Sequence, residues 1–267
     1  MDANPARSAF AALCAGAVFA IAAVAIAVAA AAQPQTKPSA GQVHRPPLTN
    51  SLQALVVVTE DWGAVGGTLQ RYERSTLRSP WQPIGKAFPV VVGKKGMAWG
   101  SGLQGEAAAD PVKHEGDGKA PAGVFRLGAA FGQSASTMPA LRLPYLPLSE
   151  KDGIECVDDP ESSHYNRLVS KQDVEPDWKS SEKMWAEPLY EHGVVVRYNA
   201  PNPRPGAGSC IFLHIWKGAE TGTAGCTAMP EADLTAVMKW LDSAKNPAIV
   251  QLPRGEYRRL RAEWRLP

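Results

Sequence analysis

The feature that most constrains the fold is a series of short apolar runs, rich in β-branched residues and separated by glycine and proline. The chain has 24 Gly and 23 Pro among 267 residues. Such runs are typical of strands that are buried on one or both faces. They predict strands at 54–59, 68–73, 88–92, 123–127, 193–198, 210–215 and 248–252. Many short strands with few helical patterns predict a mainly β domain.

One helix is predicted after Pro230, where Leu234, Val237, Met238 and Leu241 follow the i, i+3, i+4, i+7 spacing. Proline suits the first turn of a helix. Cys226 therefore lies just upstream of a predicted helix N-terminus, where the helix dipole favours a thiolate. Between the strands, residues 100–190 are irregular, and we expect short strands there together with a lid or binding loop.

The N-terminal residues predict export from the cytoplasm. Residues 9–32 are dominated by Ala, Val and Ile and end in three alanines, which favours a signal peptide over 1–32; an uncleaved membrane anchor is the alternative. Residues 33–50 are rich in Pro and polar residues and are interpreted as a flexible linker, so the domain spans 51–267. The formal net charge of +2 gives no argument for a nucleic-acid partner.

Three cysteines remain if the signal peptide, which contains Cys14, is removed. An odd number in an oxidising compartment implies one unpaired thiol. One solution is a disulfide between Cys156 and Cys210, which leaves Cys226 free. The alternative is that Cys226 is a buried and chemically inert cysteine.

The free cysteine has a histidine near it in sequence. His214 ends the predicted strand 210–215, and Cys226 follows after a short loop, on a turn introduced by Gly225. An imidazole can take the proton of a thiol and make it a nucleophile for acyl transfer, giving a thiolate–imidazolium pair. Because no carboxylate is close in sequence, a backbone carbonyl such as that of Ile215 is the expected partner that orients the imidazole. An isolated histidine on a strand is otherwise more often a structural residue.

The residues around Cys226 suggest how a substrate would be held. The N–H groups of Gly225 and Cys226 are expected to point at a developing oxyanion. Thr223, Thr227 and Trp216 are the candidate substrate-binding residues, although the two hydroxyls could instead cap the turn. The sequence has no HExxH, CxxC, P-loop or dinucleotide-binding motif, so neither a metal site nor a cofactor is predicted.

The motifs resemble the L,D-transpeptidase catalytic domain, the YkuD-like family of bacterial cell-wall enzymes. That family has a His, a loop and then a Ser/Thr-x-Gly-Cys turn, matched by His214 and 223–226. Residues 116–125 are similar to the family's Gly-Asp-x-x-Thr-Pro-x-Gly-x-Phe stretch, and further agreement comes from 156–160, 164–169 and 206–214.

The resemblance implies a β-sandwich or barrel with one or a few short helices, located in the periplasm. Cys226 would attack an L,D-peptide bond of a peptidoglycan stem peptide, with His214 as base, and an amine would resolve the thioester without any cofactor. The sequence departs from the usual family pattern at Ala120, Ala224 and Ala228, where polar side chains are common, and the loop from His to Cys is short.

Two other functions use the same sequence features. Water as acceptor would make the protein an L,D-carboxypeptidase or related peptidoglycan hydrolase. A non-catalytic wall-binding module would need Cys226 only as a structural residue. A thiol–disulfide oxidoreductase is disfavoured because CxxC is absent.

Overall fold

The computed structural model describes residues 45–106, 109–133 and 141–267. The signal peptide and most of the linker expected from the sequence lie outside these residues. The packed domain begins before residue 51, because Leu48 is only 2% exposed and belongs to the hydrophobic core. Arg74 holds this segment by donating hydrogen bonds to the carbonyls of Leu48 and Ser51. No helix within the described ranges is both long and apolar enough to cross a membrane.

The described residues form thirteen strands and two α-helices. The strands are β1 (Gln53–Thr59), β2 (Gly66–Glu73), β3 (Gln82–Val91), β4 (Met97–Trp99), β5 (Ala120–Gly132), β6 (Tyr145–Pro147), β7 (Ile154–Val157), β8 (Leu168–Ser170), β9 (Ser181–Lys183), β10 (His192–Val196), β11 (Phe212–Ile215), β12 (Thr227–Met229) and β13 (Ala248–Pro253). The helices are α1 (Glu231–Trp240) and α2 (Arg254–Leu260), and 3-10 turns occupy Met184–Ala186, Pro188–Tyr190 and Ser243–Lys245. The mainly β prediction is confirmed.

Eight strands close into a barrel. Their order is β10-β11-β12-β3-β2-β1-β13-β5, and β5 pairs back to β10. The two short strands β4 and β6 add in parallel to the two ends of the long strand β5. Closure leaves these eight strands without a free hydrogen-bonding edge, and the interior is filled by one apolar core.

Helix α1 forms where the sequence predicts it. Its Leu234, Val237 and Met238, with Leu241 just beyond its end, are fully buried in the core. It does not begin directly after Cys226, however, because β12 lies between them. Helix α2 is not predicted from the sequence, because seven residues, three of them arginines, show no clear apolar period.

A smaller sheet, in the order β8-β7-β9, lies in the region that looks irregular in sequence. A second apolar cluster connects it to the outer surface of the barrel. Its members include Phe131 and Phe212 from the barrel, Cys156 from β7 and Tyr190 from the 3-10 turn. Cys226 belongs to the same cluster, so the small sheet and the candidate nucleophile share one apolar core.

Candidate active site

A cavity of about 630 Å³ lies where the second apolar cluster meets the barrel wall. Both Cys226 and His214 line it, together with Trp216 and Thr223. The small sheet and the turn after it contribute Glu182 and Tyr190. The structure therefore brings the predicted nucleophile and base into one pocket. Among the described residues, no group of three or more His, Cys, Asp and Glu side chains is arranged to hold a metal ion.

The pairing of β11 with β12 sets the positions of the two residues. These strands are parallel, with Leu213 opposite Thr227 and His214 opposite Ala228. Successive side chains of a strand point to opposite faces. Leu213 packs into the barrel core, and His214 therefore points outward into the cavity. The loop after β11 returns the chain so that Cys226 lies beside Phe212, whose N–H lies 3.3 Å from the sulfur.

His214 is held in one tautomer. Its Nδ1 lies 2.7 Å from the carbonyl oxygen of Ile215, which can only accept a hydrogen bond. The ring proton is therefore on Nδ1, and Nε2 carries the lone pair that a base needs. Tyr190 packs edge-on against this ring at 5.3 Å between centroids. Burial lowers the pKa of His214, and the Ile215 carbonyl only partly opposes this, so the resting imidazole is neutral.

Cys226 is also neutral in the resting structure. It is 6% exposed, and its thiol lies 3.5 Å from the carbonyl oxygen of Cys210. Burial raises the pKa of this thiol, and the negative charge of Glu182 raises it further. The N–H of Phe212 and the hydroxyl of Tyr190 act in the opposite direction but are outweighed. With both groups neutral at rest, the thiolate–imidazolium pair would form only during the reaction.

The helix dipole does not compensate for this burial. Three extended residues of β12 and Pro230 separate Cys226 from the first residue of α1. Five residue steps at roughly 3.3 Å each put the helix N-terminus about 16 Å away along the chain. The effect of the dipole is confined to about one turn at the helix end. The predicted contribution of this helix to thiolate formation is therefore not supported.

The turn before Cys226 is organised by the Thr223 hydroxyl. This hydroxyl donates to the carbonyl of Cys226 at 2.7 Å and accepts from the N–H of Gly225 at 3.1 Å. Without substrate, the Gly225 N–H is therefore engaged within the turn, and its expected role as an oxyanion donor stays a prediction. Gly225 is needed for close packing, since a Cβ there would lie 3.1 Å from the carbonyl oxygen of Lys119. The role expected for the Cys226 N–H stays a prediction.

Of the three candidate substrate-binding residues, Trp216 and Thr223 line the cavity but Thr227 does not. Thr227 is 1% exposed, and its hydroxyl donates to the side chain of Gln251 inside the barrel. The reason is strand alternation, because Cys226 points outward and its neighbour therefore points inward. The alanines at 224 and 228, where the family often has polar side chains, both line the cavity.

The predicted disulfide between Cys156 and Cys210 is present, with 5.9 Å between the Cα atoms, and Cys226 is free. The bond joins β7 of the small sheet to Cys210, two residues before β11. Asn166 adds to this junction by accepting from the N–H of Cys210 and donating to the carbonyls of Tyr198 and Asn199. The junction fixes the Cys210 carbonyl that faces the Cys226 thiol.

The Gly-Asp motif forms one rim of the cavity. Asp117 accepts hydrogen bonds from the N–H groups of His114 and Lys119, and its carboxylate lies 2.6 Å from the Lys113 ammonium. Lys113 is almost completely buried, lines the cavity, and acts to lower the pKa of Cys226. The motif thus holds a loop and a buried cation near the sulfur.

Two residues near the sulfur are not found by sequence reasoning. Tyr190 and Glu182 lie about 36 and 44 positions before Cys226, in the segment that looks irregular, and carry no motif. The hydroxyl of Tyr190 donates to the Glu182 carboxylate at 2.6 Å. Burial raises the pKa of Glu182 to about 7, and the nearby carboxylates Asp158, Glu115 and Glu187 contribute to the shift.

Comparison with known families agrees with this site. The family model described as YkuD, L,D-transpeptidase catalytic domain, matches residues 72–250. That range contains the barrel strands from the end of β2 to the start of β13, the small sheet and every residue of the cavity discussed above. Comparisons with curated proteins and with solved structures gave no match. Since the family model covers most of the chain, the chain belongs to the L,D-transpeptidase catalytic domain family.

Proposed function

We propose that this protein is a peptidoglycan L,D-transpeptidase in the bacterial cell envelope. Cys226 attacks the carbonyl of an L,D-peptide bond in a stem peptide and forms a thioester. The C-terminal D-residue leaves as an amine, and an amine of a second stem peptide then takes the acyl group. Family membership supports an envelope enzyme of this kind, and the apolar N-terminal residues fit export.

The observation that carries the proposal is the tautomer of His214 in the cavity that also contains Cys226. With Nδ1 bonded to the Ile215 carbonyl, Nε2 is free to accept the thiol proton. The thiolate then attacks, the carbonyl electrons move to oxygen, and the leaving nitrogen takes the proton back from the imidazolium. In the second half the imidazole removes a proton from the acceptor amine, and the thiolate leaves.

Because the thiol and the imidazole both rest in the neutral form, transfer of the proton from sulfur to Nε2 is a step of acylation and contributes to its barrier. The 630 Å³ cavity has room for a peptide segment beside the sulfur. Trp216 and the alanines at 224 and 228 provide an apolar surface there, while Lys113 and the carboxylates provide charged groups.

The test is intact-protein mass spectrometry after incubation with a defined stem tetrapeptide. We expect a mass increase equal to the acyl tripeptide, located at Cys226 and removed when an amine acceptor is added. Cys226→Ala is the matched control and should show no adduct. Absence of any adduct on the wild-type protein over a range of pH would contradict the proposal.

Analysis of the products separates the alternatives. New 3–3 cross-linked muropeptides identify transfer to an amine, whereas shortened stems alone identify hydrolysis. If Cys226→Ala retained every cellular and in vitro effect, the protein would be a non-catalytic wall-binding protein.

A further inference from the structure

Glu182 is a half-buried residue whose carboxyl group the acyl-transfer steps above do not use. It lies on β9, lines the same cavity as Cys226, and accepts the hydrogen bond of the Tyr190 hydroxyl at 2.6 Å. The charged and titratable groups that act on it are Asp158 after β7, Glu115 in the Gly-Asp loop, Glu187 before the second 3-10 turn, and Tyr190 itself. Each of the three carboxylates makes ionisation of Glu182 less favourable.

Tyr190 is fixed between Glu182 and the two candidate catalytic residues. Its ring packs edge-on against His214 at 5.3 Å and against Phe212 at 5.5 Å. Tyr190 and Cys226 line the same cavity and belong to the same apolar cluster, and the Tyr190 hydroxyl acts to lower the pKa of the thiol. A phenol has one hydrogen to donate. While that hydrogen goes to an ionised Glu182, it is not available to a thiolate.

We propose that Glu182 and Tyr190 form a hydrogen-bonded relay that controls the charge on the Cys226 sulfur. When Glu182 is protonated, its O–H donates to the Tyr190 oxygen, and the Tyr190 hydrogen turns to the sulfur and stabilises the thiolate. When Glu182 is ionised, it takes the Tyr190 hydrogen and its own charge opposes a thiolate. Tyr190 is then a catalytic residue that contacts the reacting atom, and Glu182 is a positioning residue that acts through it.

The relay rests on the proposed role of Cys226 as nucleophile, but it can be tested without any peptide. The measurement is the rate of Cys226 alkylation by iodoacetamide at about pH 5.5 and about pH 8.5, on either side of the pKa of Glu182. Glu182→Gln removes the charge, and Tyr190→Phe removes the hydroxyl. Both keep the side-chain volume, and circular dichroism verifies the fold.

The two variants should respond in different pH ranges. Glu182→Gln should raise the rate about tenfold at the higher pH and change it little at the lower pH, where Glu182 is already protonated. Tyr190→Phe should lower the rate about tenfold at the lower pH and have a smaller effect at the higher pH. The matched controls are Glu106→Gln, at an exposed ion pair, and Tyr145→Phe, whose hydroxyl has no partner. Neither control should change the rate.

If either variant changes the alkylation rate by the same factor at both pH values, the relay is refuted. A side chain with only a structural role would not change the rate in step with the ionisation of Glu182. The outcome is independent of the proposed function. If the alkylation pattern appears but no peptide adduct forms, the relay stands and the transpeptidase proposal fails. If the adduct forms without the pattern, the reverse holds.

Discussion

Removing the disulfide between Cys156 and Cys210 should lower the free energy of unfolding by about 4 kcal/mol. The two cysteines are 54 residues apart in the sequence. The chain-entropy model gives roughly this value for a loop of that length at 25 °C. Domains of this kind have a total stability of about 5–15 kcal/mol, so the bond accounts for a large part of it. The closed loop contains β8, β9 and β10, and therefore the segment that carries Glu182 and Tyr190.

The assay is urea unfolding, followed by tryptophan fluorescence, of Cys156→Ser/Cys210→Ser. The parent is the oxidised protein carrying Cys226→Ser, so that no thiol can exchange with the disulfide. Because the cross-link limits the expansion of the unfolded chain, its removal should also increase the denaturant dependence of the free energy. A loss below about 1 kcal/mol with an unchanged slope would refute the entropic reasoning. It would mean that contacts in the unfolded chain already restrict this loop.

Three further predictions concern the cavity. Since burial raises the pKa of Glu182 from 4.5 to about 7, the folded protein binds this proton more tightly than the unfolded chain does. The free energy of unfolding should therefore fall by up to about 3 kcal/mol as pH rises from 4.5 through 7, and Glu182→Gln should abolish that fall. If the melting temperatures of the two proteins changed with pH in parallel over this range, the prediction would be contradicted. Gly225→Ala should destabilise the protein by about 1 kcal/mol in urea unfolding, because its Cβ would lie 3.1 Å from a carbonyl oxygen, whereas Gly255→Ala, with open space around it, should not. His214→Ala should slow alkylation of Cys226 near neutral pH, and an unchanged rate would mean that another group activates the thiol.

The strands of the barrel are largely predictable from sequence because their signal is local. Nearly every side chain of a run such as 54–59 is buried, and its β-branched residues favour a strand over a helix. The helix after Pro230 is predictable for the same reason, since its apolar spacing lies within one segment. The strands β4, β6, β7, β8 and β9 have only three or four residues each and are set by pairing with distant partners. Length and periodicity cannot identify such strands.

The errors at the candidate site come from one short element. Residues 227–229 were expected to lead directly from the Cys226 turn into a helix, but they form β12 beside β11. Three residues are too few for an alternating pattern to be recognised. Once the strand is present, Thr227 must point into the barrel, and the helix begins too far from the sulfur to act on it. A single missed strand therefore explains both the misplaced hydroxyl and the overestimated dipole.

The burial of Cys226 connects the two halves of the proposed reaction. A negative charge on this sulfur is unfavourable, because Cys226 is 6% exposed and the charge of Glu182 opposes it. The sulfur becomes negative twice, when the thiol loses its proton and when the thioester releases its acyl group. The thioester between these events is neutral, so its sulfur needs no hydrogen bond from Tyr190. Interactions between titrating groups are mutual, so a protonated Glu182 promotes both steps and an ionised one opposes both. Acylation and deacylation should consequently show the same loss of rate as pH rises through the pKa of Glu182, and Glu182→Gln should remove it from both in single-turnover kinetics.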